Sequence, residues 1–255
     1  KRKVFKGEAI IIERFDEIIR IANEKMNATK KSKSIILDLG RMGLKDLSLI
    51  PELFDLDGLE ELIISNEWAE YNDADNRWIR KESQNKGLKN NIFNIPNDIT
   101  RFKNLEKLIV GGDWKSKLNS QSNNWRLIDV SWLFELKKLR YFNVSNNHVK
   151  DITGISNLKY LEVAHINNNN IFKVPPLKYL KNLKEIYLSN NLIEKIDFLK
   201  GCNQLSTVDI HSNKISDLIP LENLLRESTN GINIKNSSWE KASISVSKNS
   251  PNIIP

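Results

Sequence analysis

A chain of 255 residues with a single cysteine, Cys202, cannot close an internal disulfide. That absence excludes the disulfide-framed secreted folds and leads us to expect a reducing, cytoplasmic setting. Histidine is equally scarce: His148, His165 and His211 lie in separate segments with no carboxylate or cysteine at ligand spacing, so no metal centre is expected. The ten glycines never assemble a phosphate-cradling loop, and Gly111-Gly112-Asp113-Trp114-Lys115-Ser116 has the wrong spacing for one. Asn72-Asp73-Ala74-Asp75-Asn76 lacks the Gly and the distant Glu of a calcium loop. No apolar run approaches the roughly 20 residues that a membrane helix needs. No signal-peptide pattern opens the chain, which starts at Lys1 without Met, as a trimmed chain would. Adjacent carboxylates such as Glu60 and Glu61 diverge along one strand, unlike an acid/base pair. Together these absences lead us to expect no catalytic residue, no cofactor and no membrane association.

The charge that is present is unevenly placed. Residues 1–33 carry ten Lys or Arg against five Asp or Glu, five of the net +7, and the remainder of the chain is nearly neutral. No aromatic-basic motif accompanies the surplus, so nucleic acid is not an expected partner.

What the chain has in abundance is a repeated phrase. Stretches beginning at Leu139, Leu161, Leu183 and Leu205 recur every 22 residues. Each reads apolar-x-x-apolar-x-apolar-x-x-Asn-x-apolar, as in Leu161, Ala164, Ile166, Asn169 and Ile171. Alternating apolar residues predict a short strand with one buried face, and the Asn amide can bond the main chain of the neighbouring turn. Weaker copies begin at Ser34 (Leu37, Leu39, Met42, Leu44), Leu59 (Leu62, Ile64, Glu67, Ala69) and Leu105 (Leu108, Val110, Asp113), all three without the Asn. Their spacings of 25, 46 and 34 residues place insertions near 68–87 and 114–125. The phrase is the leucine-rich repeat signature. It implies an α/β solenoid with a curved parallel sheet on the concave side and short helices or 3-10 turns on the convex side. No single repeat buries its own face, so the stack stands as a unit.

The ends differ from the middle. Ile11, Phe15, Ile18 and Ala22 follow a helical spacing, widened by Ile12 and Ile19, and predict an amphipathic helix that caps the first repeat. This divides the chain into a capping helix and linker over 1–33, about seven repeats over 34–228, and a terminal strand and tail over 229–255. Gly231-Ile232-Asn233-Ile234-Lys235-Asn236 is expected to be that strand, with Ile232 and Ile234 pointing inward.

A helix, a short basic linker, Ser34-Ile35-Ile36-Leu37-Asp38-Leu39 and then Leu49-Ile50-Pro51-Glu52-Leu53-Phe54-Asp55-Leu56 resemble the opening of bacterial intracellular leucine-rich repeat regions. Such regions occur in Roco proteins and in multidomain signalling or antiphage sensors of the STAND and CHAT kinds. The resemblance implies a non-catalytic recognition module whose partner is a protein, a foreign trigger included. It also implies an effector domain attached after the last strand. A module that restrains or oligomerises such an effector is the alternative from a different class.

Two groups of residues are candidates for contact with that partner. If the strands stack in register, the fifth position of each phrase forms one concave column: Asp38, Ile63, Ile109, Asn143, His165, Tyr187, Asp209, flanked by Tyr141 and His211. Aromatic rings beside hydrogen-bonding groups are the composition of interface hot spots, though groove positions are often polar and mixed. The insertions hold Trp68, Trp78, Trp114 and Trp125, four of the six Trp. Both insertions are expected to leave one edge of the solenoid after the Asn position, either as a binding platform or folded onto the array.

Overall fold

The computed structural model describes residues 6–72, 77–113, 127–227, 232–235 and 253–254. Helix α1 (Lys6–Ser32) precedes strands β1 (Ile36–Asp38), β2 (Glu61–Ile63), β3 (Glu67–Asn72), β4 (Arg77–Glu82), β5 (Lys107–Ile109), β6 (Tyr141–Asn143) and β7 (Val163–His165). Then come β8 (Glu185–Tyr187), β9 (Thr207–Asp209), α2 (Ile219–Glu227), β10 (Asn233–Lys235) and β11 (Ile253–Ile254). Nine strands form a parallel sheet in chain order, from β1 through β2 and β5 to β11, while β3 and β4 pair only with each other. The return path of the repeats is built from 3-10 turns such as Pro51–Asp55, Ser131–Glu135 and Thr153–Asn157. Asp129 and Asp151 start two of them by accepting from the N–H two residues on, at 2.8 and 2.7 Å.

The alternation within each strand explains the single core. Leu62, Leu108, Phe142, Ala164, Ile186 and Val208 sit centrally in their strands and are wholly buried beside Ile155, Leu177 and Leu199 of the returning turns. Leu221 and Leu224 of α2 and Ile232 continue that core towards the far end. Ile232 is therefore inward, as the phrase predicts; the side chain of Ile234 lies outside the described residues.

The phrase Asn holds successive turns together. Asn169 Nδ2 donates to the carbonyls of Val144 and Ile166 at 3.1 and 3.0 Å, and its Oδ1 accepts from the Val149 N–H at 3.0 Å. Asn147, Asn191 and Asn213 repeat the pattern one turn apart. Each amide thereby satisfies buried backbone groups that no water reaches. The residue before it takes a left-handed conformation, at Asn146, Asn168, Asn190 and Ser212. Asn tolerates that region better than most residues, which accounts for the Asn-Asn pairs in the sequence.

The second repeat corrects the sequence reading. It does have its Asn: Asn90 Nδ2 donates to the carbonyls of Leu39 and Ile64 at 2.7 and 2.8 Å, and its Oδ1 accepts from Leu44 N–H at 2.9 Å. The insertion begins at Glu67, ahead of the Asn position rather than after it, and the phrase resumes at Asn90 and Ile92. Glu67 and Ala69 belong to the inserted β3 instead. In the third repeat the phrase resumes at Leu127, whose N–H donates to Asn147 Oδ1 at 3.2 Å.

Helix α1 covers the first repeat through its second half. Ala22 and Met26 are buried within the common core, with Ile18 and Ile19 packed against it, whereas Phe15 is 44% exposed. Gly43 adopts a positive φ of 74°, and a Cβ there would lie 2.9 Å from Ile18, so glycine lets the helix approach closely. No described helix is long and apolar enough to cross a membrane.

Candidate functional site

The strand pairings place Asp38, Ile63, Ile109, Asn143, His165, Tyr187 and Asp209 in one unbroken register. Neighbours in this column stand roughly 4.8 Å apart. His165 and Tyr187 stack face to face, with ring centroids at 4.4 Å and an interplanar angle of 7°. Tyr141 leans on His165 at 5.3 Å from the adjoining position.

Over this column lies the hairpin β3–β4, and it accounts for the composition beneath it. Trp68 is buried against Ile63 and Ile109, the two apolar members of an otherwise polar column. Trp78 meets Tyr187 at 5.0 Å and His165 at 5.8 Å, both edge to face, and Tyr71 meets Trp78 at 5.4 Å. Such ring pairs contribute about 0.5–1.5 kcal/mol each beyond the area they bury. At the hairpin's exit, Asp38 accepts from Ser83 Oγ at 2.9 Å and from the Gln84 N–H at 2.9 Å. Gly40 makes that crossing possible, since a Cβ there would stand 2.2 Å from the Ser65 carbonyl and 2.5 Å from Ser83 Cβ. Arg80 pairs with Glu67 across the hairpin, and Lys107 lies 3.6 Å from Glu70 while its ammonium rests over the Tyr141 ring.

The consequence is a groove that is covered rather than open. Asn143, His165, Tyr187 and Asp209 are all buried, Tyr187 and Asp209 completely so. Their inaccessibility departs from the open concave column of the sequence reading. For His165 and Tyr187 the cause is the inserted hairpin, whose Trp78 packs edge to face on both rings. Trp78 and Tyr141 stay part-exposed, as does His211. Burial, reinforced by the Glu70 carboxylate, holds the Tyr141 hydroxyl well above the ordinary tyrosine range. Trp114 and Trp125 lie outside the described residues.

Between the hairpin and the face remains a chamber of about 350 Å³. Trp68 and Trp78 line it on the hairpin side; Asn143, His165, Asp209 and His211 line it on the sheet side. At its far end His211 Nδ1 and Asp209 Oδ1 are 2.6 Å apart. Of the ten candidate contact residues, eight are described; six of these line the chamber, and Tyr141 and Tyr187 buttress it through the ring stack.

Sequence reasoning missed Lys107, Ser83 and Asn90. For Asn90 a signal existed: Asn90-Asn91-Ile92 repeats the Asn-x-apolar ending of the phrase once the insertion is set aside. Among the described residues no three of His, Cys, Asp and Glu gather as a metal would require. Cys202 is wholly buried, and burial pushes its thiol up to about 11, so it remains protonated and packs as an apolar side chain.

A family model described as Leucine Rich repeats (2 copies) matches residues 157–201 and 181–223. The chain is a leucine-rich repeat solenoid. Internalin F from Listeria monocytogenes strain 4b F2365 is 24% identical over 79% of this chain and 48% of its own, with a TM-score of 0.57. Internalin C2 from the same strain is 20% identical, covering 80% of each chain, with a TM-score of 0.53. The plant peptide hormone receptor RGFR1, in complex with RGF2, is 19% identical over 73% of this chain and 26% of its own, with a TM-score of 0.50. At these identities the likeness is one of fold, and this chain spans about half the length of the internalin F structure. Among curated proteins none matches.

Proposed function

We propose that this leucine-rich repeat solenoid is the recognition module of an intracellular bacterial protein, one that senses or scaffolds through its concave face. The ligand is a partner or trigger protein, and the output belongs to an attached effector domain. One observation carries the reading. The hairpin β3–β4 is fastened to the concave column by an aromatic stack, and it leaves Trp78, Tyr141 and His211 part-exposed around a chamber. Leucine-rich repeat folds commonly serve protein interaction, and rigid aromatic anchors at the rim of a recess are where interfaces concentrate their energy. The plant receptor of similar fold is itself in complex with RGF2. A sole cysteine held protonated in the core suits a reducing compartment.

The test is a titration. A partner captured on the purified chain is identified by mass spectrometry, purified, and titrated by calorimetry against single variants. Trp78→Ala and Tyr141→Ala are expected to weaken binding by at least about tenfold. Lys150→Ala and Lys195→Ala, at exposed positions on the returning side, should bind as the parent does. Tyr187→Ala is a poor probe, because removing a wholly buried ring lowers stability whatever its part in binding. Loss of binding in the lysine variants, with Trp78→Ala and Tyr141→Ala silent, would place recognition on the other side of the solenoid.

A further inference from the structure

The concave column is satisfied nearly throughout its length by the hairpin above it. Asp38 is bonded by Ser83 and Gln84, Ile63 and Ile109 are covered by Trp68, and His165 and Tyr187 carry Trp78. Asn143 Oδ1 accepts from the Ser145 N–H at 2.9 Å. Asp209, one strand beyond the aromatic stack, is the exception. One of its oxygens meets His211, while Oδ2 is buried with no hydrogen-bond partner among the described residues.

A carboxylate taken out of water without full hydrogen bonding is costly, and an opposite charge offsets that cost best. Among the described residues the chamber's lining includes no Lys or Arg, and Asp209 is its one carboxylate, beside His165 and His211. Strand β10 sets Lys235, whose side chain lies outside the described residues, next to Asp209 in register. The opposite wall presents the indole of Trp78, the aromatic ring whose face attracts cations most strongly. Asn167, Asn168, Ser189 and Asn190 add further polar atoms around the space, and about 350 Å³ falls within the range of small-ligand pockets. An acidic end, an aromatic wall and polar amide sides complement a flat or compact cation on a short apolar stem.

We propose that the chamber under the hairpin is a cation site, in which Asp209 and Trp78 receive a guanidinium or ammonium group borne on an Arg or Lys side chain of the partner polypeptide. The proposal rests on the recognition function above and gives it a chemistry. The basic side chain would enter along the part-exposed lip formed by His211 and Trp78, its charge reaching Asp209 and its stem lying against the indole. An Arg could also donate to the amide oxygens around it, which its planar fork suits better than the point charge of Lys.

The probe is N-acetyl-L-argininamide, titrated into the whole chain while the amide and indole NMR signals are followed. N-acetyl-L-citrullinamide, of the same shape with a neutral urea in place of the guanidinium, is the comparison. The arginine compound is expected to bind at least about tenfold more tightly, shifting the Trp78 indole signal. Asp209→Asn should abolish the preference while keeping the melt, and Trp78→Leu should weaken the arginine compound more than the citrulline one. Equal binding of the two compounds by the parent chain overturns the proposal, and so does a preference that survives in folded Asp209→Asn. Should Asp209→Asn not fold, the parent comparison alone decides. A second arm uses a positional-scanning hexapeptide library. Peptides with a fixed Arg or Lys that bind more tightly than the amide place the group on a polypeptide. If no peptide improves on the amide while the preference for charge persists, the site takes a free guanidine or amine, and the protein-recognition reading fails while the cation chemistry stands.

Discussion

Removing residues 1–33 is expected to yield a chain that aggregates on purification or unfolds at a much lower temperature than the parent. Ala22 and Met26 of α1 are part of the same core as Leu37, Leu39 and Met42, and their loss bares the first repeat to water. A repeat array without its polar end loses solubility because the outermost apolar face has nothing to pack on. Met26→Asp makes the same point in a full-length chain. An unpaired carboxylate at a site only 3% exposed should cost about 3 kcal/mol or more. Size-exclusion chromatography and a thermal melt read both outcomes. A truncated chain that remains monomeric with an unchanged melt would show that α1 is no cap and turn attention to a partner for its apolar stripe.

The second large effect is expected at the Asn ladder. Asn169→Ala removes the donor to the Val144 and Ile166 carbonyls and the acceptor for the Val149 N–H, in a setting that water does not enter. Orphaned buried groups cost about 1–3 kcal/mol each, so a loss of about 3 kcal/mol or more is expected. For a chain of this size that is a fall of roughly 6–12 °C in Tm. The neighbouring Asn168→Gly should change stability by less than about 1 kcal/mol, since its φ of 57° suits glycine. Calorimetry on the pair distinguishes a specific ladder from a general need for polar residues, for only the first predicts that the two variants differ.

The repeats were legible in the sequence because a solenoid is built from local regularity. The alternation Phe142, Val144 or Ile186, Leu188 sets a strand and its buried face, and a constant period sets its register against the next. That is why the column from Asp38 to Asp209 could be written down before any coordinates. The covering of the column could not. A hairpin inserted between Asn66 and Asn90 owes nothing to the period, and its path depends on where Trp68, Tyr71 and Trp78 find rings and apolar surface to bury. A hint did lie in the column itself: Ile63 and Ile109 are apolar at positions where a solvated groove would be polar. The missing Asn of the second repeat had the same origin, since counting at a fixed spacing lands on Glu67 instead of Asn90. Asp209 stood out only once the partners of every other column member were known.

The most direct test of the account is the affinity of the identified partner for a chain in which Asn66 is joined to Asn90. That excision removes residues 67–89 and shortens the 46-residue spacing to 23, one residue from the regular period of 22. The account predicts a folded solenoid with a cooperative melt at lower temperature, because the ladder bonds of Asn90 connect repeats and not the hairpin. It predicts binding weaker by at least about tenfold, because the Trp78 wall of the chamber has gone. Partner affinity equal to that of the intact chain, measured on a folded excision variant, would contradict it.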